Sequence, residues 1–349
     1  MARSLKIVLF GVGAMGSRIA RLLLQKEGAK IVGAIDIAPD KVGRDLGDII
    51  GLGREIGVSV SIETDAVLSK TKPDVVVHAT SSFLRDVYKQ LEDIISHGVP
   101  VVSTCEELTY PFHSEPELAQ ALDVLAKREN VAVLGTGINP GFLMDTLAIT
   151  LTGACQDVRR IQVRRRIDAA TRRLPFQKKI GAGLTVEEFN RQVKRKVITG
   201  HVGLEQSIGM IAASLGWKLD EIITESIEAV VAKRPVESPE IKAAAGRVAG
   251  LRQQAHGVAN GLNVIALDFE AYLEAEEEYD SITIEGTPNI FQRISPCVHG
   301  DLATVALVVN SIPKVINASP GLVTMAMLPI PSAALGNMSS HVETTSGKN

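Results

Sequence analysis

The fold of the amino-terminal part of the chain is decided by six residues, Gly11-Val12-Gly13-Ala14-Met15-Gly16. They follow an apolar, strand-like run and open a stretch with helical apolar spacing, which is the context of a dinucleotide-binding turn. Gly11 permits the tight turn, Gly13 lets the backbone approach a pyrophosphate, and Gly16 lets helix and strand pack closely. The helix start also presents unpaired N–H groups to the phosphates. We therefore expect cofactor contacts at Gly11, Gly13, Ala14, Met15 and Gly16.

An acidic residue follows this turn at the required spacing. Asp36 ends the second strand-like run, 20 residues after Gly16, where a carboxylate accepts hydrogen bonds from the adenosine ribose. Its negative charge repels the 2′-phosphate of NADP and so favours NAD. Lys41 and Arg44 lie just beyond Asp36 and soften that repulsion, so the sequence leaves both NAD and NADP open.

Short apolar runs alternate with amphipathic helical stretches up to the middle of the chain. The runs are Ile7–Phe10, Ile31–Asp36, Val58–Ile62, Val75–Ala79, Val99–Ser103 and Val131–Leu134. Most are nearly continuous in apolar residues, as parallel strands covered on both faces should be. Strands flanked by helices indicate βαβ units. The predicted fold class is α/β, with an N-terminal Rossmann domain built on a doubly wound parallel sheet.

The pattern changes at Gly135–Gly141, where three glycines and a proline in seven residues indicate a loop or hinge. Beyond it, strands and helices no longer alternate regularly, which predicts a second, α+β domain. The expected boundaries are 1–138 for the Rossmann domain and 139–300 for a substrate and dimerisation domain. Residues 301–335 should pack back on the Rossmann domain, and the polar residues 336–349 should form a disordered tail.

The composition argues against several classes of protein. The 349 residues are 45% hydrophobic and carry a net charge of -3, so there is no global basic field for nucleic acid. No apolar run reaches the roughly 18 residues that a membrane helix needs. Three cysteines without CxxC or HExxH spacing argue against a disulfide framework and a metal site. We expect a cytoplasmic protein with no nucleic-acid, membrane or metal partner.

Two adjacent carboxylates follow the fifth strand-like run, in the segment Ser103-Thr104-Cys105-Glu106-Glu107-Leu108. This segment should reach the nicotinamide, because ligands bind outside the carboxyl ends of such strands. Adjacent side chains of a regular element diverge, so one of Glu106 and Glu107 faces the reaction. There it suits general acid–base catalysis. The alternative role of the pair is to complement a helix dipole, and Cys105 is expected to be structural.

The fourth strand-like run ends in a polar segment, His78-Ala79-Thr80-Ser81-Ser82. Its place at a strand end makes Thr80 and Ser81 candidates for contact with the nicotinamide-side ribose or phosphate. The alternative for both is capping of the following helix. His78 is interpreted as a buried strand histidine.

Four segments together resemble one enzyme family. They are Gly11–Gly16, Ser103–Leu108, Gly135–Phe142 and Gly300–Thr304. They are similar to the 2,4-diaminopentanoate dehydrogenases, which are related to the native NAD(P)-dependent amine dehydrogenases and share a fold like that of dihydrodipicolinate reductase. The resemblance spans roughly residues 5–330.

The resemblance implies an oxidative deamination and its reversal, reductive amination. 2,4-Diaminopentanoate would lose its C4 amine to give 2-amino-4-oxopentanoate, ammonia and NAD(P)H. It also implies a catalytic glutamate in the pair, and we favour Glu106 because it lies nearer the strand end. Homoserine dehydrogenases, which resemble this region more distantly, have a catalytic lysine at Glu106. A lysine would repel an iminium cation, so a glutamate fits an amine substrate.

Other residues are expected around the ligands. Asn139 is expected at the cofactor, and Phe142 and Leu143, just after the loop, at the substrate. On a strand, the side chain of Arg166 and that of its neighbour Arg165 face opposite sides. Arg166 is our candidate for bidentate binding of the substrate carboxylate.

Two histidines of the second domain, His201 and His256, lie in polar, glycine-flanked segments and are further candidates for the substrate pocket. A surface or packing role is the alternative for each. An exposed sheet face in this domain would suit a homodimer, since symmetric dimers are the commonest oligomers.

Two other functions stay open at this point. A dehydrogenase of simple alkyl or cycloalkyl amines and ketones would use the same glutamate without binding a carboxylate. A nucleotide-sensing regulatory protein is the second, because fold alone does not give function. A sensor has no use for a carboxylate beside the nicotinamide, so NADH production with a panel of small amines separates the two classes.

Overall fold

The structure is a computed structural model that describes residues 4–343. The chain divides into two compact units, the first comprising the chain up to Phe142 together with the segment from Gly300 onward, and the second Leu143–His299. Sequence analysis had placed these divisions after residues 138 and 300.

Six strands and five helices alternate in the first unit up to Phe142. They are β1 (Leu5–Phe10), α1 (Ala14–Leu23), β2 (Ala29–Ile35), α2 (Leu46–Ile49), β3 (Val60–Ser61), α3 (Thr64–Thr71), β4 (Val75–His78), α4 (Leu84–Ser96), β5 (Val101–Ser103), α5 (Pro116–Arg128) and β6 (Ala132–Gly135). The apolar face of α4 shows why these helices form: Leu84, Val87, Leu91, Ile94 and Ile95 recur at helical spacing and are all buried.

The second unit contains four helices and nine strands. They are α6 (Thr146–Thr152), β7 (Asp157–Asp168), α7 (Leu174–Lys179), α8 (Val186–Lys194), α9 (Leu204–Ser214), β8 (Glu221–Thr224), β9 (Glu228–Val231), β10 (Val236–Glu237), β11 (Lys242–Ala243), β12 (Val248–Ala259), β13 (Leu262–Tyr272), β14 (Tyr279–Thr287) and β15 (Ile290–Ile294). This unit is a mixed α+β structure.

The chain then re-enters the first unit through α10 (Gly300–Ile316) and β16 (Gly321–Val323). β16 pairs with β6 and completes a seven-stranded sheet of order β16-β6-β5-β4-β1-β2-β3. Every pairing in this sheet is parallel. The order runs outward in both directions from β1 and β4, which is the doubly wound arrangement. The predicted Rossmann sheet is confirmed.

The second unit is built on another seven-stranded sheet, of order β15-β14-β7-β13-β12-β8, with β9 also pairing with β12. Only the β7–β13 pair is parallel. Alternate residues of the long strands, such as Ile161, Val163 and Leu267, share one apolar core with α8 and α9. The opposite face carries charged and polar residues, so the two faces of the sheet differ in chemistry.

Part of the polar segment near the carboxyl terminus is ordered, contrary to the expectation of a disordered tail. Residues 336–343 were expected to be disordered, but Met338–His341 form a 3-10 helix that begins after Asn337, whose side chain accepts from Ser339 N. Met338 is fully buried, and its N–H donates to Glu27 O at 2.8 Å. One buried methionine and one capping asparagine therefore anchor a segment whose composition indicated disorder. The rest of the expected tail, 344–349, lies outside the described residues.

Candidate active site

The glycine-rich turn leaves space above the start of α1. Gly11 has a φ of +95°, and a Cβ there would overlap the carbonyl oxygen of Ala79. A Cβ at Gly16 would overlap the carbonyl oxygen of Gly11. Around Gly13, the residue that precedes α1, a Cβ would meet nothing within 4 Å. Two glycines thus close the turn, and the third opens the helix N-terminus to a ligand, as a pyrophosphate site requires.

Asp36 follows β2 and is held by backbone and side-chain donors. Its Oδ2 accepts from Val12 N at 2.8 Å and from Lys41 Nζ at 3.0 Å, and its Oδ1 accepts from Ala38 N at 2.9 Å. Burial alone would raise the pKa of Asp36, but these donors together hold it below its ordinary value. The structure therefore presents an ionised carboxylate beside the glycine-rich turn.

A polar network centred on the buried His78 lies at the carboxyl ends of β4 and β5. His78 Nδ1 lies 2.8 Å from Ser103 Oγ, and His78 Nε2 lies 2.8 Å from Gln90 Oε1 and 3.0 Å from Thr80 Oγ1. Because Gln90 Oε1 is an acceptor, we assign the ring proton to Nε2, so Nδ1 accepts from Ser103. Burial lowers the pKa of His78 to about 4, so the ring is neutral near pH 7.

The candidate residues Thr80 and Ser81 both make contacts within the first unit. Thr80 Oγ1 donates to Gln90 Oε1 at 2.7 Å, and its exposed side chain lies beside Gly11. Ser81 Oγ donates to Asp86 Oδ2 at 2.8 Å, at the start of α4. Thr80 is therefore the one that borders the glycine-rich turn, and Ser81 is engaged with α4.

Residues 78–84 and 103–107 are joined by several hydrogen bonds, which we call the strand-end clamp. Thr104 N donates to His78 O at 2.9 Å, and Glu107 N donates to Ser82 O at 3.1 Å. Cys105 Sγ donates to the same Ser82 oxygen at 3.3 Å. Burial, with the nearby carboxylates, raises the pKa of the Cys105 thiol to about 12. This neutral thiol is a structural member of the clamp.

The two glutamates have different environments. Glu107 Oε2 accepts from Leu84 N, the first residue of α4, at 2.7 Å. The Glu107 carboxylate thus serves the N-terminus of α4, where negative charge is stabilising. Glu106 is partly buried and precedes the 3-10 helix Glu107–Thr109, whose Thr109 N donates to its carbonyl at 3.1 Å. The two residues are adjacent in sequence, but their surroundings in the structure differ.

The glycine-rich segment after β6 is a tight loop. A Cβ at Gly141 would lie 2.6 Å from Gly137 N, and Ile138 N donates to Thr304 Oγ1 of α10 at 3.1 Å. Asn139 precedes a cis proline within this loop. Phe142 ends the first of the two segments that make up the first unit, and the buried Leu143 begins the second unit.

The arginines of β7 are engaged on opposite faces of the sheet. Arg165 is buried, and its guanidinium lies 2.6 Å from Asp280 Oδ1. Arg166 lies on the other face, where its Nε donates to Glu270 Oε2 at 2.7 Å and its guanidinium stands over the Tyr279 ring. The Arg166 charge is thus already paired within the second unit. Its assignment to a substrate carboxylate stays a prediction, and this pairing does not favour it.

The two histidine candidates also lie on opposite faces. The His201 ring stacks on Phe269, which belongs to the helix-covered face, and burial with nearby cations lowers its pKa to about 3. His256 shares the polar face with Arg166 and lies 2.8 Å from Glu225 Oε1. The structure therefore does not bring these histidines together, and a single pocket on this sheet cannot contain both.

Sequence reasoning missed two polar side chains, the partly buried Gln90 and the fully buried Asp145. Gln90 Oε1 lies 2.8 Å from His78 Nε2 and accepts from Thr80 Oγ1 at 2.7 Å, and nothing local in the sequence marks this role. Asp145 is fully buried, caps α6 through Thr146 N, and accepts from Ser207 Oγ at 2.8 Å. An aspartate directly before a helical apolar pattern is an N-cap signal that could have identified it.

Nothing in residues 4–343 indicates a membrane span or a metal-binding cluster. They contain no helix that is both apolar and long enough to cross a membrane. Nor do they contain a group of three or more His, Cys, Asp or Glu side chains placed to hold a metal ion.

Both units of the chain are similar to known protein families. Residues 142–344 match the family model of the 2,4-diaminopentanoate dehydrogenase C-terminal domain, and residues 5–108 match that of the dihydrodipicolinate reductase N-terminus. The 2,4-diaminopentanoate dehydrogenase of Acetoanaerobium sticklandii is 40% identical over 95% of both chains. An amine dehydrogenase of Streptomyces virginiae is 23% identical over 93% of this chain and 96% of its own. The solved amine dehydrogenase of Mycobacterium smegmatis superposes with a TM-score of 0.81 at 32% identity, covering 94% of this chain and 97% of its own.

Proposed function

Because the chain belongs to the 2,4-diaminopentanoate dehydrogenase family, we propose that it deaminates 2,4-diaminopentanoate at C4 with NAD or NADP. The products are 2-amino-4-oxopentanoate, ammonia and the reduced cofactor, and reductive amination is the reverse reaction. The observation that carries this proposal is a glutamate pair at the end of β5 in which one member is engaged by α4. The relatives are named as dehydrogenases, so the comparisons give no support to the alternative of a nucleotide-sensing regulatory protein.

The residues of the first unit fit a nicotinamide dinucleotide. The open space at Gly13 and the start of α1 would hold the pyrophosphate, and Asp36 would accept from the adenosine ribose. Ile37, which is 74% exposed directly after Asp36, offers an apolar surface to the adenine. When bound, the nicotinamide would accept the hydride from the carbon that carries the amine.

Glu106 is the proposed acid–base residue. Its carboxylate first accepts a proton from the substrate ammonium and passes it to solvent, because an amine gives up a hydride only when its nitrogen is unprotonated. It then stabilises the iminium cation that hydride loss leaves. Finally it takes a proton from the attacking water and returns it to the carbinolamine nitrogen, so that collapse of the carbinolamine releases ammonia. The engagement of Glu107 with Leu84 N supports the choice of Glu106.

A variant pair tests this assignment. Glu106→Gln keeps the shape of the side chain and removes the base, so kcat should fall by about 10²–10⁴-fold in both directions at saturating cofactor. Glu107→Gln is the matched control: it should lower the melting temperature through the weakened α4 cap while kcat falls much less. Loss of activity in the control alone would transfer the catalytic role to Glu107. Full activity in both variants would refute the carboxylate mechanism.

A second candidate substrate class is the simple alkyl amines. Two observations favour it: the similarity to the Mycobacterium smegmatis amine dehydrogenase, and the pairing of Arg165 and Arg166 with acidic residues of the second unit. Neither guanidinium is thus free of an existing ion pair when a substrate carboxylate arrives. The two classes differ only in the contacts made by that carboxylate.

Initial rates separate the two substrate classes. 2,4-Diaminopentanoate and 2-aminopentane are compared with NAD and with NADP, by absorbance of the reduced cofactor. The diamino acid should have the higher kcat/KM, because a cation that binds its carboxylate is left unpaired by the alkylamine. Equal efficiency for the two compounds would replace the diamino acid with the simple amines.

The proposal includes a homodimer formed through the polar face of the second sheet. That face carries both signs of charge, as a self-complementary two-fold interface needs. The Arg164 side chain on this face is exposed, and within residues 4–343 its guanidinium makes no hydrogen bond or ion pair. Sedimentation should give a dimer, and Arg164→Glu should weaken it; a monomeric wild type would refute this part.

We also place the enzyme in the cytoplasm, whose reducing conditions suit its three free cysteines.

A further inference from the structure

Lys41 contacts the Asp36 carboxylate oxygen that also accepts a hydrogen bond from the glycine-rich turn. Lys41 Nζ lies 3.0 Å from Asp36 Oδ2, the same oxygen that accepts from Val12 N at 2.8 Å. The pair is only partly exposed, with 22% of the Lys41 side chain and 10% of the Asp36 side chain accessible. A positive charge is therefore built into the position where an adenosine ribose would meet Asp36.

The loop that carries Lys41 is firmly anchored. Gly43 N donates to Val60 O at 2.8 Å, and Val60 N donates to Arg44 O at 2.9 Å. The Asp45 carboxylate accepts from three backbone N–H groups, those of Gly47, Ile56 and Val58, at 2.7, 2.9 and 3.0 Å. The Lys41 backbone is thus fixed, and only its side chain is able to adjust to a ligand.

The same loop forms one wall of a groove beside the start of α1. Its lining residues are Val12, Gly13, Ala14, Ser17, Asp40, Lys41, Arg44, Asp48 and Ile49. Arg44 is exposed, and its Nη1 donates to Asp40 O at 3.1 Å, away from Asp36. The two cations of the groove therefore differ: Lys41 neutralises Asp36, and Arg44 does not contact it.

A 2′-phosphate placed on the ribose would approach the Asp36 carboxylate. The phosphate and the carboxylate are both negative and repel each other, and the repulsion is stronger where water is partly excluded. The ammonium of Lys41 is a compact charge on a flexible stem. It is able to lie between the carboxylate and the phosphate while it remains in contact with both.

We propose that Lys41 is the residue that determines acceptance of NADP, by bridging Asp36 and the 2′-phosphate. With NAD, the ammonium stays on Asp36 and the ribose hydroxyls bind the remaining acceptor sites of the carboxylate. This inference rests on the proposed dinucleotide function and names the group that sets its selectivity. It makes the acidic residue after β2 compatible with both cofactors.

Binding measurements without turnover test the proposal. Dissociation constants of NADH and NADPH are measured by nucleotide fluorescence, and those of ADP and 2′,5′-ADP by calorimetry. Lys41→Met should lower the affinity for NADPH relative to NADH by about tenfold or more, because a charge-assisted contact is lost. The same ratio should change for 2′,5′-ADP relative to ADP. Lys41→Arg should retain most of the wild-type ratio.

Two control variants make the test specific. Lys30→Met removes an exposed lysine at the opposite end of β2 and should leave the ratio unchanged. Arg44→Met should change it less than Lys41→Met does. If Arg44→Met causes the larger loss, or if Lys41→Met weakens NADH and NADPH equally, the assignment of Lys41 is overturned while the cofactor site stands. If the wild type binds neither dinucleotide, the proposed function fails as well.

Discussion

Acid should destabilise the first unit through a single buried histidine. His78 is fully buried, and its pKa is about 4 in the folded protein, against 6.5 for an ordinary histidine. Between these values the unfolded chain binds a proton that the folded chain does not, so the free energy of unfolding falls as pH falls. Each unit of pKa difference corresponds to about 1.4 kcal/mol, so the loss approaches about 3 kcal/mol between pH 6.5 and 4. Above pH 6.5 the effect is absent.

The replacement His78→Asn isolates this contribution. The Asn oxygen is able to accept from Ser103 Oγ as Nδ1 does, but the side chain carries no titratable proton. The variant should be less stable at pH 7, because the bond to Gln90 is lost, and its stability should fall less steeply below pH 6.5 than that of the wild type. His201, whose pKa is about 3, adds a similar dependence in the second unit.

Urea unfolding followed by circular dichroism between pH 7.5 and 4.5 measures the two profiles. The single tryptophan, Trp217, lies in the second unit and does not report on the unit that contains His78. Melting with saturating NADH, which should bind the first unit, assigns the transitions. Parallel acid profiles for wild type and His78→Asn would show that the acid dependence originates elsewhere.

Two further predictions concern the cofactor site. Asp36→Ala should weaken NAD binding and move the preference toward NADP, since a charged hydrogen bond of about 1.5–3 kcal/mol and the repulsion of the phosphate are both lost; an unchanged NAD/NADP ratio of kcat/KM would place Asp36 away from the ribose. Gly11→Ala should lower the melting temperature, because its Cβ overlaps Ala79 O at a positive φ. Gly13→Ala, which meets no protein atom within 4 Å, should keep the melting temperature and lose cofactor affinity, and equal melting temperatures for the two variants would contradict the steric argument.

The Rossmann half of the fold follows from local sequence. Strands such as Val75–His78 are buried on both faces, so they appear as unbroken apolar runs that single-sequence reasoning detects. The short strands of the second unit carry no such signal. Glu221–Thr224 is mostly exposed, and Val236–Glu237 has only two residues. Their pairing depends on partners that are distant in sequence, so the α+β class was predictable and the strand order was not.

The candidate site shows the same division between local and distant information. Alternation along a strand predicts that Arg165 and Arg166 face opposite sides, as the structure has them. Their partners, Asp280 and Glu270, come from other strands of the sheet and have no local signature. Likewise, the sequence predicts that one glutamate of the pair turns away, but only the folded chain brings Leu84 N to Glu107.

The re-entry of the chain into the first unit affects the order in which the protein folds during synthesis. The segment Leu143–His299 is continuous, so the ribosome delivers all of it before β16 exists. Until Gly321–Val323 emerges, β6 presents an open edge of a parallel sheet, a surface that invites wrong strand pairing. The second unit is therefore able to fold before the last strand of the first unit has been synthesised. Domains generally fold in amino-to-carboxyl order, so this chain departs from that order. Nascent chains of this protein thus depend on Gly321–Val323 to complete the sheet that begins with Leu5.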